Sequence, residues 1–309
     1  MKKRKEKVLR FISKVLSKFF TKKAYAKIIF KAKLGYKLNL KDPQTFCEKL
    51  NWLKLYYLPH NELAVKCTDK YLVREYVESM GLGEHLVELY GDWDDARKID
   101  FEKLPDQFVL KVTNGQGYNI ICKDKKSLNI PHTVKQLNKW LKEDFGALLA
   151  EPHYSKLKGK GRIIAEKFLE DDISDYKFFF FHGELEYMYI ATGIVQKDIR
   201  HSYFDKSGSP APFKRPDRPG IENCVLPVGF EKMKKLSSVL AKEFPFVRVD
   251  WFEVNGKIYF SELTFTHAAG LAKFDPPEYD RKLGDLLDLE TVKQSDIYRR
   301  THEKRKKDF

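Results

Sequence analysis

Arg248-Val249-Asp250-Trp251-Phe252-Glu253-Val254, then Asn255-Gly256, then Lys257-Ile258-Tyr259-Phe260-Ser261-Glu262-Leu263-Thr264 is the stretch on which the fold turns. Asn-Gly between two β-prone runs is the strongest short-range hairpin signal. It predicts a strand over Arg248–Val254 and a return along Lys257–Glu262. Across the turn, Arg248-Val249-Asp250-Trp251 faces Ser261-Glu262-Leu263-Thr264, which puts two carboxylates among apolar neighbours on paired strands. Such groups are costly to bury unless a positive charge lies between them. Hard oxygen ligands with a hydroxyl beside them suit Mg²⁺ bridging phosphates. The same residues also fit a structural Arg248–Glu262 or Lys257–Asp250 salt bridge on an exposed face.

Working outward, Tyr176–Phe181, a His182-Gly183 turn and Glu184–Ile190 read as a second hairpin, with a Pro- and Gly-rich loop over 205–220 and a helix over Phe230–Glu243 before the first. Phe108–Val112 reads as a buried strand, broken by Thr113-Asn114-Gly115-Gln116-Gly117 and resumed over Asn119–Cys122. A helix over about 131–142 and a strand over Arg162–Leu169 follow. Nearer the N-terminus, Thr45 caps a helix through Trp52 and Leu55, with Glu48 three residues on. Thr68-Asp69-Lys70 caps another that ends at Gly81-Leu82-Gly83. Mixed hairpins and helices define an α+β protein rather than a doubly wound sheet.

The chain has 309 residues, 42% hydrophobic and 33% charged, enough for a sizeable core in two lobes. Four dispersed cysteines exclude a disulfide scaffold and a zinc finger. The net charge of +14 is local: residues 1–37 hold fourteen Lys/Arg and one acid, Glu6, and residues 299–309 six basic and two acidic side chains. The remaining body is slightly acidic, with 38 basic against 41 acidic residues. That argues against a basic groove, so no nucleic-acid partner is expected.

No run of 18 apolar residues spans a bilayer, and Lys14 and Lys18 interrupt what would be a signal peptide's core. Val8, Leu9, Ile12, Val15, Leu16 and Phe19 follow the helical period, with Lys7, Arg10, Lys14 and Lys18 opposite. Such a helix either lies on an anionic inner leaflet or docks on the protein's own core. A cytoplasmic protein, peripheral on the inner face of the membrane, is the expectation.

Lys111, near the end of a buried strand, is followed at once by the glycine loop. That arrangement can surround phosphate oxygens with an ammonium and bare N–H groups. It can equally be a plain hairpin with a snorkelling lysine, since it has neither Walker nor Rossmann spacing. Ile163–Leu169 is a strand able to offer backbone groups to a planar base. The order of the three pieces resembles the ATP-grasp superfamily, and more closely the family named for teichuronopeptide synthesis, the TupA-like ATP-grasp proteins. The resemblance runs from about Leu38 to Leu289. It is most specific at Thr45–Leu55, Asp69-Lys70-Tyr71, Phe108–Gly117, Asp175-Tyr176-Lys177-Phe178 and Glu262-Leu263-Thr264-Phe265.

The resemblance implies an ATP-grasp fold with nucleotide between two α+β lobes, and ATP and Mg²⁺ as cofactors. It divides the chain into a basic segment (1–37), an N-terminal region (38–100), a small lobe with the glycine loop (101–165), a C-terminal lobe with the metal site (166–290) and a basic tail (291–309). Lys111 and Lys70 would contact phosphates, and Asn114, Gly115 and Gly117 would close over them. Glu166, Lys167 and Leu169 resemble the adenine hinge, and Asp175, with Lys177 beside it, occupies the ribose position. Asp250, Glu262 and Thr264 would hold Mg²⁺, with Arg248 and Lys111 acting on the transferring phosphoryl group. Thr264 stands where most relatives have Asn, the loop departs from the usual Cys-Asn-His-Gly-Ser-Gly-like sequence, and Thr266–Gly270 replaces a Pro-containing turn. In that turn His267 either faces the acceptor as a base or is structural.

The implied function is a carboxylate–amine ligase working through an acyl phosphate, joining an amino acid to a surface-polysaccharide precursor. Its substrates would be a saccharide or amino acid, free or lipid-linked. A glycosyltransferase and an ATP-grasp sugar kinase are the alternatives. The Asp92-Trp93-Asp94 pair that a glycosyltransferase needs reads as a surface loop. His153, Tyr154 and Arg200-His201-Ser202-Tyr203 are candidate substrate contacts.

Overall fold

A computed structural model describes residues 19–170, 172–196 and 198–300. The amphipathic helix expected over residues 8–20 lies outside these apart from Phe19 and Phe20, as does the end of the basic tail. Helix α1 (Lys22–Leu34) is capped by Thr21, whose hydroxyl accepts from the Ala24 N–H, and stops at Gly35, where φ is 90°. It buries Tyr25, Ala26 and Phe30 while Lys22, Lys23, Lys27, Lys31 and Lys33 remain exposed.

Helix α2 (Phe46–Tyr56) begins with the expected capping box. The Glu48 N–H donates to Thr45 Oγ1, and the Thr45 N–H donates to Glu48 Oε2. Helices α3 (Glu62–Thr68) and α4 (Val73–Ser79) follow. Here the expectation for Thr68 is corrected. Its hydroxyl donates back to the Ala64 carbonyl, so Thr68 closes α3, and Asp69 Oδ1 takes the N–H groups of Tyr71 and Leu72 ahead of α4.

The first sheet contains β1 (Leu89–Trp93), β2 (Phe108–Val112), β3 (Asn119–Cys122) and β4 (Ile163–Lys167) in the antiparallel order β1-β4-β2-β3. Between β3 and β4 lie α5 (Ile130–Leu141), α6 (Phe145–Leu148) and α7 (Pro152–Ser155). The sequence sets Asp92 in a loop after a strand. Instead Asp92 sits opposite Ile164 and pairs with Arg162. Phe108, Leu110, Val112, Ile163 and Ala165 form one core with Leu137 of α5. Because side chains alternate along a strand, Val109, Lys111 and Glu166 occupy the other face, and the register sets Val109 opposite Glu166.

The second sheet contains β5 (Asp175–Phe181), β6 (Glu184–Thr192), β7 (Arg200–Asp205), β8 (Phe246–Val254) and β9 (Lys257–Thr264), ordered β7-β6-β5-β8-β9. Both expected hairpins form, and β7 is an additional edge strand. One face, with Phe178, Val249 and Trp251, packs on α8 (Phe230–Ala241), where Trp251 Nε1 donates to Ser237 Oγ at 2.7 Å. The opposite face carries Lys177, Arg248, Asp250, Glu262 and Thr264, adjacent by register. Helices α9 (Glu278–Asp285) and α10 (Leu289–Gln294) complete the described chain. Among the described residues no helix is long and apolar enough to cross a membrane.

Candidate active site between the two sheets

Lys111 projects from β2 and its Nζ donates to Glu166 Oε2 at 2.6 Å. Arg74 of α4 takes the other carboxylate oxygen, Nη1 to Oε1 at 3.3 Å, and ties itself to the Val87 carbonyl at 2.9 Å. The Glu166 side chain is therefore the partner of two cations. Strand β4 ends at Lys167, and Leu169 lies two residues beyond the ladder. Arg74 carries no sequence signal, because only folding brings it to Glu166.

The Asp69-Lys70 turn anchors the start of the glycine loop. Thr113 Oγ1 donates to Asp69 Oδ2 at 2.6 Å and accepts from the Arg162 N–H at 2.9 Å. Lys70 Nζ donates to the Gly115 carbonyl at 2.7 Å and stands 4.0 Å from Glu262 Oε2, joining the glycine loop to the second sheet. Gly115 is required by packing, since a Cβ there would lie 2.6 Å from the Tyr118 ring. Gly117 is required by conformation, with φ +69°. Asn114 is buried; its Nδ2 reaches the Leu141 carbonyl at 3.4 Å and its Oδ1 is unpartnered.

On the second sheet Asp250 is fully buried and both its oxygens are taken by cations. Arg248 Nε donates to Oδ1 at 2.7 Å, while Arg248 Nη2 and Lys177 Nζ each donate to Oδ2 at 2.6 Å. Arg248 Nη2 also reaches Glu262 Oε1 at 3.1 Å and Thr264 Oγ1 at 3.0 Å. The Arg248–Glu262 pair exists, part-buried in the site rather than on an exposed face, and Asp250 pairs with Lys177 instead of Lys257. Burial pushes the Glu262 carboxyl up, but Lys70, Lys177 and Arg248 prevail and hold it down at about 2. Asp175 is raised by burial against the pull of Lys177. Its Oδ1 has no partner among the described residues, while Oδ2 sits 3.1 Å from Lys177 Nζ.

Among the described residues no group of three or more His, Cys, Asp or Glu side chains is placed to hold a metal by itself. Mg²⁺ needs only one or two protein oxygens when phosphates supply others. Glu262, with 27% of its side chain exposed, and Thr264, whose hydroxyl is 3.1 Å from Glu262 Oε1, fit that demand. Asp250, enclosed by Arg248 and Lys177, is placed to orient those cations.

A strained turn follows β9. Ala268 and Ala269 have φ of 48° and 57°, a conformation that costs a non-glycine residue about 1 kcal/mol or more. Helix α2 holds it: Asn51 Nδ2 donates to the Gly270 carbonyl at 2.8 Å, and Lys54 Nζ to those of Ala269 at 2.7 Å and Leu149 at 3.1 Å. Thr266 Oγ1 bonds the buried Glu151 carboxylate. Burial lowers Lys54 to about 8 although Glu151 opposes it. Lys54→Met leaves two carbonyls and a nearby carboxylate uncompensated, so stability should fall by about 3 kcal/mol. Thermal denaturation should show a lower Tm; an unchanged Tm would remove Lys54 from this role.

Two antiparallel sheets, one carrying a lysine and glycine loop and the other a carboxylate–arginine face, define an ATP-grasp protein. The TupA-like ATPgrasp family model matches residues 48–288, and the chain belongs to that family. Among solved structures it is similar to an L-amino acid ligase from Bacillus licheniformis, with a TM-score of 0.48 and 12% identity over 87% of this chain and 63% of that one. It is also similar to the D-alanine–D-alanine ligase of Coxiella burnetii, with a TM-score of 0.47 and 11% identity over 83% of this chain and 68% of that one. The ligase of the same name from Bacillus anthracis, complexed with ATP, gives 0.41 and 16% identity over 72% of this chain and 63% of that one. The chain thus spans about three fifths of the length of the first structures it matches. No functionally curated protein matches it.

Proposed function

We propose that this protein is an ATP-dependent carboxylate–amine ligase. The observation that carries the reading is the bridge from Lys111–Glu166 and the glycine loop, through Lys70, to Glu262 and Arg248. Opposed ammonium groups and carboxylates on two sheets suit a triphosphate whose terminal group develops charge during transfer. Lys111 and Lys70 would bind phosphate oxygens, and Asn114, Gly115 and Gly117 would cover them. Val109 and the half-exposed Ile121 share the Lys111 face and would pack on the base, beside the Lys167 carbonyl and Leu169 N–H. The unpartnered Asp175 Oδ1 would accept from a ribose hydroxyl.

Glu262 and Thr264 would hold Mg²⁺, which when bound neutralises phosphate charge. Arg248, aimed by Asp250 and Glu262, would stabilise the phosphoryl group in flight. A substrate carboxylate oxygen attacks the γ-phosphorus and ADP leaves. An amine then attacks the acyl carbon, phosphate leaves, and an amide forms with loss of a proton. The family suggests an amino acid and a surface saccharide, free or lipid-linked, as the two substrates. The exposed lysines of α1, with no acid between Phe19 and Lys37, support contact with an anionic inner membrane.

Hydroxylamine tests the chemistry. The full chain, incubated with ATP, Mg²⁺, a panel of uronic and amino acids and hydroxylamine, should yield hydroxamate and ADP together. A stable sugar phosphate with no hydroxamate would favour a kinase and overturn the ligase.

A further inference from the structure

Three side chains with a buried atom that has no hydrogen-bond partner among the described residues, His201 (Nδ1), Tyr203 (Oη) and His267 (Nε2), set their rings around that of Tyr189. Its centroid lies 4.7 Å from that of His201, 4.9 Å from Tyr203 and 5.8 Å from His267. Tyr203 is opposite Tyr189 in the β6–β7 ladder and His201 opposite Ala191, which places them on the face that carries Lys177 and Arg248. The Arg248 guanidinium carbon lies 5.9 Å from the Tyr189 ring centre.

The unpartnered atoms have a common character. A guanidinium only donates, so Arg248 Nη1 gives its hydrogen to His267 Nδ1 at 3.4 Å and the histidine proton resides on Nε2. His267 Nε2–H and Tyr203 O–H are then donors without acceptors, and His201 Nδ1 becomes a third in one tautomer. Arg215 enters from the loop after β7 with its side chain 11% exposed. It commits Nε and Nη2 to Asp217 at 2.9 and 2.7 Å, so among the described residues Nη1 has no hydrogen bond. That loop is fixed over the strand by the His201 N–H to the Pro219 carbonyl and the Ala211 N–H to that of Tyr203, both 2.9 Å.

Burial first, and then Arg215, lowers both histidines. A water would satisfy some of these donors but needs acceptors for its own hydrogens. An oxyanion only accepts and so suits such donors, and such charge-assisted bonds are about twice as strong as neutral ones.

We propose that His201, Tyr203, His267 and Arg215 form a subsite for an oxyanion, a carboxylate or phosphate borne by the non-reacting part of the substrate. It adjoins the Arg248 end, where the phosphoryl group would be transferred, through the His267–Arg248 contact. Only the identity of the molecule bearing the oxyanion rests on the ligase reading; the subsite itself rests on the buried donors without acceptors around Tyr189.

The test is calorimetric titration of the full chain, saturated with Mg²⁺ and ADP, with inorganic phosphate and separately with malonate. Saturable binding of at least one is expected, and the one that binds identifies the source as phosphate or carboxylate. Tyr203→Phe removes a hydroxyl with no partner among the described residues, so its Tm should equal or exceed the wild type. Its oxyanion affinity should nevertheless fall by about tenfold or more, the loss of one hydrogen bond to a charged group, and Arg215→Met should do the same. ADP affinity should be unchanged in both. Absence of binding by either anion, or binding insensitive to Tyr203→Phe, overturns the subsite. Failure of ADP to bind counts against the nucleotide reading alone, and the anion titrations without ADP on wild type and Tyr203→Phe then decide the subsite.

Discussion

Lys111→Met is expected to lower ATP-dependent turnover by about 10²–10³-fold, the usual cost of removing one preorganised donor to developing charge. Methionine keeps the apolar stem along β2 and deletes only the ammonium that meets Glu166 at 2.6 Å. Glu166 is not stranded by the change, because Arg74 remains on its other oxygen at 3.3 Å. The fold should therefore persist, with stability altered by about 1 kcal/mol. ADP release and Tm, measured on the same preparation, separate the two effects. Near-normal turnover with an unchanged Tm would make Lys111 a structural partner of Glu166 and nothing more.

The second large effect is acid sensitivity. His153 and His201 are both lowered to about 3, mainly by burial, and His267 well below its usual value for the same reason. Folded, His153 and His201 stay neutral near pH 5; unfolded, they take up protons below about 6.5. The unfolded chain therefore binds more protons as pH falls, and stability falls with it. Between pH 7 and 5 each of these two removes about 2 kcal/mol, together roughly 4 kcal/mol, and His267 adds to the loss in the same direction. That compares with a total of about 5–15 kcal/mol for a typical protein.

The carboxylates modify this loss at its acid end. Glu262, held at about 2, contributes stability above its unfolded value of 4.5 and begins to lose it only below that value. Glu151 and Asp175, raised by burial, take up protons in the folded state first and offset part of the loss. Urea denaturation at pH 7 and pH 5 should show the decline, and His153→Phe should make it shallower. Equal stability at the two values would mean that these histidines are protonated in the fold.

Much of this was legible because short-range chemistry wrote it down. Asn255-Gly256 fixed the hairpin that sets Asp250 opposite Glu262, and the Thr45–Glu48 box fixed the start of α2. The Lys111–Gly117 stretch was legible as a strand and turn but ambiguous in purpose until the fold brought Glu166 and Arg74 to the ammonium. Strand β1 runs on through Asp92 and Trp93, which the sequence sets in a loop after a strand, because Gly91 and Asp92 are turn-prone types. It exists because β4 offers an edge to pair with.

Other features have no local signal at all. Alanine does not announce positive φ, so the strain at Ala268 and Ala269 was invisible, as were the bonds that restrain the turn from Asn51 and Lys54 more than 200 residues away. The proximity of Lys177 to Asp250 follows from the β5–β8 register, which depends on tertiary packing rather than on either strand's sequence.

The most direct test of the central claim is calorimetric titration of the full chain with ATP plus Mg²⁺, and separately with UDP-sugars plus Mg²⁺, on wild type, Lys111→Ala and Glu262→Ala. The account predicts Mg²⁺-dependent ATP binding that both substitutions abolish. Binding of a UDP-sugar without ATP would contradict it and make glycosyl transfer the function.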